Sequence, residues 1–272
     1  MAGYQLKTQR RNLGFIGGMS ITLILIITNV ILFILSSTVN TTFFENYLAI
    51  KPSLILQGKS LWTFVTSMFF HGGFFHLFAN MFSLFFVGSF LEKIIGSKRF
   101  LKIYFVSGIL GSLFFVLSGL IFDNLSVPAV GASGAIFGLL GVLAFLVPKS
   151  KIYLIAGPLI LLILQFILMP IIPSEFIDLF LSTINILIIL MIFAMFSFGT
   201  QFQKFAVPIK LSMWMLPIIA IIPLVLIDLV VDLPIGNSAH IGGLVAGLIY
   251  GYYLKQKFPR KTRELSYLYS EY

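Results

Sequence analysis

The chain holds three histidines, His71, His76 and His240, and no cysteine. The missing thiols exclude disulfides, iron–sulfur ligation, thiolate zinc sites and a cysteine nucleophile. A membrane serine ordinarily bonds back to its own helix, but Ser133 opens one, in Gly131-Ala132-Ser133-Gly134-Ala135-Ile136-Phe137-Gly138. Gly131 and Gly134 let backbone and substrate approach closely, and the free N–H groups of a helix start face any developing negative charge. Ser133 is the candidate nucleophile. His240, in Gly236-Asn237-Ser238-Ala239-His240-Ile241-Gly242-Gly243, is the candidate base. His76 and Asn80 are four apart, share a helix face and can both donate to an oxyanion. His71, beyond the Gly72-Gly73 pair, is placed above that helix start. A three-histidine zinc site lacks both an HExxH run and a carboxylate placed as base. Aspartyl chemistry needs two facing carboxylates, whereas Asp228 and Asp232 lie on one segment. No metal and no cofactor are expected.

The elements that must position these groups are membrane helices. Of the 272 residues 59% are hydrophobic and 10% charged, with a mean hydropathy of +1.06, so lipid is the solvent for most of the chain. Eight apolar stretches stand out, at 15–37, 74–91, 100–122, 133–147, 152–172, 176–198, 211–231 and 239–254. No small-residue cleavage site follows the first, which reads as a retained helix and not a signal peptide. Placing both termini in the cytoplasm puts all but Lys51 and Lys59 of the 18 basic residues in inner segments, from Lys7, Arg10 and Arg11 through Lys204 to the basic tail 255–272. The net charge of +9 is thereby a topology signal and not a sign of nucleic-acid binding. The expectation is a multi-pass protein of the cell membrane, one transmembrane domain over 1–272.

This topology carries Ser133 and all three histidines to outer helix ends. From Ser133 to Pro148 the helix is about 22 Å long at 1.5 Å per residue, against a hydrocarbon core of about 30 Å, so Ser133 is sunk below the outer surface. Ala239, Gly243, Gly247 and Gly251 recur every four residues, facing Gly134, Gly138 and Gly141 on the serine helix. Such small-residue stripes let two helices touch, which a Ser–His hydrogen bond needs. The 38–73 segment is too apolar for a water-exposed loop and reads as an interfacial first loop with Tyr47 and Trp62 at headgroup level. Glu92, at an inner helix end, reads as a snorkelling charge, with bracing of a loop by hydrogen bonding as the alternative.

Together the motifs resemble the rhomboid family of intramembrane serine proteases. The likeness rests on Gly131-Ala132-Ser133-Gly134 with Phe137 and Gly138, and on His71-x4-His76-x3-Asn80. It rests further on Ala239-His240-x2-Gly243-x3-Gly247 and Gly88-x3-Glu92-Lys93-x2-Gly96-Ser97. It covers about 40–147 and 211–254. The resemblance implies an all-α, polytopic membrane helical bundle with a six-helix core, here carrying two additional helices. It implies Ser133 as nucleophile and His240 as general base, without a carboxylate. His76, Asn80 and the Ser133 N–H would form the oxyanion hole, with Phe137 packed on the imidazole and Gly131 and His71 in support. Substrates would be transmembrane proteins in the bilayer. Two departures stand: Trp62-Thr63 replaces a frequent Trp-Arg, and three apolar segments separate the Ser and His helices where familiar bacterial members have one. The added pair, a helical hairpin at 152–198, is open to three roles: peripheral hairpin, dimer surface or substrate filter. Two rivals are a non-catalytic client-binding relative, expected to lack the serine or histidine, and a transporter, expected to show intramembrane charge or a two-fold repeat.

Overall fold

The computed structural model describes residues 19–38, 40–195, 207–228 and 236–270. Lys7, Arg10 and Arg11, the start of the first apolar stretch at Phe15, Val39, the 196–198 end of the sixth stretch, Lys204, residues 229–231 and Asp232 lie outside them. In chain order the principal elements are α1 (Ile21–Ser36), α2 (Phe74–Ile95), α3 (Ser97–Ile121), α4 (Ser133–Leu146), β1 (Lys151–Ile155), α5 (Ala156–Leu168), α6 (Ile177–Met195), β2 (Pro208–Ser212), α7 (Leu216–Asp228), α8 (Asn237–Lys257) and α9 (Pro259–Leu268). Two compact units form, one from the chain up to Leu146 with Pro217–Thr262, the other from Val147–Leu216 with Arg263–Tyr272.

In the first unit α4 is the centre. Its side chains are buried on every face from Gly134 to Leu143, as an all-round apolar helix must be, and α3 and α8 pack against it. The α1 helix inverts the soluble pattern. Thr22 and Asn29 are buried, while Ile31 and Ile34 are half exposed or more. Outward apolar and inward polar faces suit a hydrocarbon solvent, where every polar group needs a protein partner. A five-residue π turn, Leu84–Gly88, interrupts α2. There Gly88 passes so close to α1 that a Cβ would lie 3.1 Å from Thr22 Cγ2. Gly96, at φ +81°, turns the chain from α2 into α3. The loop before α2 folds from short helical pieces. It is held to the chain ahead of α4 by a two-way bond between Ile50 and Ala129, 2.9 Å each way.

In the second unit α5 and α6 pack together and are joined through turns at Met169–Ile171 and Ser174–Phe176. Ahead of them lies a departure from the all-α expectation. Lys151–Ile155 is extended and pairs antiparallel with Pro208–Ser212, Lys151 opposite Ser212 and Ile155 opposite Pro208. Among the described residues the chain is therefore mostly helical with one small sheet. A five-residue apolar run reads equally as strand or helix start by periodicity, and its partner strand lies far along the chain.

Three segments are long and apolar enough to cross a bilayer among the described residues: Phe74–Ile95, Ser97–Ile121 and Ser174–Met191. The apolar helices Ile21–Ser36, Ser133–Leu146, Ala156–Ile171 and Met213–Leu226 are shorter.

Candidate active site

Ser133 is the first residue of α4 and His240 lies in the first turn of α8. Their side chains meet, His240 Nε2 standing 2.8 Å from Ser133 Oγ, with the imidazole buried. The glycine stripes explain how two helices come this close. A Cβ on Gly243 would run into the Gly134 carbonyl, and one on Gly247 into the Gly138 carbonyl. The third wall was not legible as a stripe. Gly111 on α3 faces the Ala239 carbonyl, where a Cβ would sit at 2.7 Å. The only sequence signal for it was the small-residue run Ser107-Gly108-x2-Gly111-Ser112.

Phe137, one turn beyond Ser133, stacks on the His240 ring with centroids 4.5 Å apart and planes 23° from parallel. Its neighbour across the ring is therefore a flat apolar surface. His240 Nδ1 is buried and meets no protein hydrogen-bond partner. The ring is thus oriented by stacking and by Ser133, with no carboxylate behind it. No group of three His, Cys, Asp or Glu side chains able to hold a metal occurs among the described residues.

His76 and Asn80 both belong to α2, and Asn80 is buried with Nδ2 donating to the His76 carbonyl at 2.9 Å. Gly131 ties this pair to the serine. A Cβ on Gly131 would lie 2.8 Å from His76 Nε2 and 3.7 Å from Ser133 Oγ, so the space between imidazole and hydroxyl exists because this residue has no side chain. Its φ of +132° also favours glycine, and its N–H donates to the Ser67 carbonyl at 2.8 Å. Ser67 went unnoticed in the sequence because it acts through its backbone. His71 is packed in, 3% exposed, edge-on to His76 with centroids 5.1 Å apart. Neither of its nitrogens meets a protein partner. Burial, and next the charge of His76, push its pKa down to about 3, so it is neutral at ordinary pH.

Of the two readings of Glu92, the structure shows the hydrogen-bonded brace and not the snorkelling charge. Its carboxylate is buried and accepts from Ile21 N and Thr22 N at 2.9 Å each, from Thr22 Oγ1 at 2.7 Å and from Ser97 Oγ at 2.6 Å. It caps the start of α1 and fastens it to the α2–α3 turn. The sequence could not choose between them, because whether a helix-end carboxylate reaches water depends on which helix start packs over it.

A family model for the Rhomboid domain matches residues 58–187 and 182–257. The chain belongs to the rhomboid family. Its relatives include the Putative rhomboid protease YdcA of Bacillus subtilis, 42% identical over 86 residues, covering 32% of this chain and 41% of the relative. Rhomboid protease GluP of the same organism is 38% identical over 112 residues, 41% of this chain and 21% of that protein. Inactive RHOMBOID-like protein 8 of Arabidopsis thaliana is 40% identical over 96 residues, 35% of this chain and 26% of that one. The matched region thus spans well under half the length of each of these relatives. Family membership and the long apolar helices together make this rhomboid a membrane protein.

Proposed function

We propose that this rhomboid is an intramembrane serine endopeptidase that hydrolyses peptide bonds in or near the transmembrane segments of membrane-protein substrates. The observation that carries the reading is the 2.8 Å contact between His240 Nε2 and Ser133 Oγ. A neutral imidazole at that distance can take the hydroxyl proton as the oxygen attacks a carbonyl carbon. His240 would then protonate the leaving amine, and a water deprotonated by the same nitrogen would release the acyl group from Ser133. The tetrahedral oxyanion would be met by the Ser133 N–H and by His76 and Asn80. Phe137 would hold the imidazole flat through both proton transfers, and Gly131 would keep the oxyanion space open. The substrate helix would enter laterally between α2 and α7. The proposed topology has eight spans in the cell membrane, six forming the core and the 152–198 pair added, with both termini cytoplasmic.

The test is cleavage of a single-span substrate by the purified, reconstituted protein. Ser133→Ala and His240→Ala should each lower turnover at least about a thousand-fold. Cleavage that survives Ser133→Ala overturns the assignment. A second reading, a non-catalytic client-binding protein, draws support from the 40% identity to Inactive RHOMBOID-like protein 8. A fluorophosphonate probe separates the two: covalent labelling of wild type that is lost in Ser133→Ala favours the protease, and a wild type that binds a substrate helix but resists the probe favours the client binder.

A further inference from the structure

The loop ahead of α2 contains a cavity of about 560 Å3 that no part of the proposed reaction uses. Asn46, Tyr47, Leu54, Lys59, Leu61 and Trp62 line it, with Gly58 and Ser60 at the turn. The walls are fixed by the fold. Trp62 Nε1 donates to the Tyr47 carbonyl at 2.8 Å, which pins the indole, and Ser60 Oγ donates to the Asn46 carbonyl at 2.9 Å. The turn between them places both Gly58 and Ser60 at positive φ, +72° and +52°, and Lys59 between them lines the cavity. Tyr47, Leu61 and Trp62 on its walls, with Phe43 and Leu56 elsewhere in the same loop, are all about half exposed, an apolar surface that water would disfavour and lipid would not. Within it stands one cation. Lys59 Nζ donates to Gln57 Oε1 at 3.0 Å, a neutral acceptor, and among the described residues no carboxylate pairs with it. The loop is bound to the end of the bundle that carries Ser133, through Ile50 to Ala129 and Ser67 to Gly131.

We propose that this cavity is a phospholipid site that selects anionic headgroups: Lys59 pairs with the headgroup phosphate while an acyl chain lies along Leu54, Leu61 and the Trp62 ring. The unpaired ammonium argues for an anion, the exposed apolar surface for one carried by a lipid, and the Trp and Tyr walls for the depth at which headgroup meets chain. The site is independent of the protease reading, because Ser133, His240 and His76 are not among the residues that line it.

The protein has two tryptophans, so Trp214→Phe leaves Trp62 as the only emitter. This variant would be reconstituted in phosphatidylcholine vesicles doped with a minor fraction of chain-brominated phosphatidylglycerol or, in parallel, chain-brominated phosphatidylcholine. Quenching of Trp62 should report roughly five-fold enrichment of the anionic lipid at the site. Lys59→Gln should abolish that preference and Lys59→Arg should keep it, with thermal melting in detergent unchanged in both. Equal quenching by the two lipids, or a preference that persists in Lys59→Gln, overturns the proposal. Free inorganic phosphate should leave the preference intact; if it displaces the brominated anionic lipid, the site is one for soluble phosphate and the lipid assignment fails.

Discussion

At the residue scale, the proposed Ser133–His240 dyad depends on small distances set by residues that would do no chemistry. Gly131 is the sharpest case, since the position its Cβ would occupy lies between His76 Nε2 and Ser133 Oγ. Gly131→Ala should therefore cut kcat by roughly 100-fold or more, comparable with loss of an oxyanion donor, while substrate affinity measured with Ser133→Ala as background changes little. His76→Ala and Asn80→Ala should likewise act on kcat more than on KM, because in the proposed reaction they would serve charge that exists only in the transition state. His71 makes a prediction about pH. Its folded pKa is lowered to about 3, so between its ordinary value and 3 the unfolded chain binds a proton that the native protein refuses. Stability should be fully present above pH 6.5 and decline as pH falls towards 3. The difference in melting temperature between wild type and His71→Asn, followed from pH 7 to pH 5, measures it; a difference independent of pH would refute the assignment. The positions of Ser133 and His240 at helix starts, and of His76 and Asn80 four apart on one helix, were legible in the sequence, while their catalytic roles belong to the proposal. The brace made by Glu92 was one of two open readings and the part of Ser67 went unread, because both depend on what packs above them.

At the scale of elements, the bundle is held by two devices of different kind. One is steric: α8 lies against α4 through Gly243 on Gly134 and Gly247 on Gly138. Gly243→Val would press a branched side chain into a backbone carbonyl. It should cost roughly 1–3 kcal/mol and move His240 away from Ser133, so thermal stability and fluorophosphonate labelling should fall together. The other device is polar. Glu92 collects four donors from α1 and from the turn at Ser97. Glu92→Ala would leave those buried donors without their acceptor, with an expected loss of about 3 kcal/mol in detergent unfolding. Glu92→Gln should lose less, since it keeps the acceptor oxygen. The glycine stripes could be read from their four-residue spacing, whereas the Glu92 cluster joins residues about 70 apart in sequence and has no periodic signature.

At the scale of the whole molecule, the proposed topology makes both termini cytoplasmic, with the end bearing Ser133 facing out. Reporter fusions test it: a C-terminal fluorescent protein should fluoresce, and an alkaline phosphatase fused after Asp123, in the turn following α3, should be active. Reversal of that pattern would invert the membrane face assigned to Ser133. The membrane class itself is written in composition. The small sheet is not, since Lys151–Ile155 becomes a strand only where Pro208–Ser212 runs beside it.

By itself the sequence determined the solvent of this protein, the apolar segments, the small-residue stripes and the residue types gathered at their ends. These follow from local composition and spacing, which act over a few residues. Only the tertiary structure decided that the Ser133 hydroxyl and the His240 imidazole are hydrogen-bonded, that Gly131 opens the space beside them, and that Glu92 is buried. Each of those facts is a meeting of segments distant along the chain, and such meetings are selected by the packing of the entire bundle.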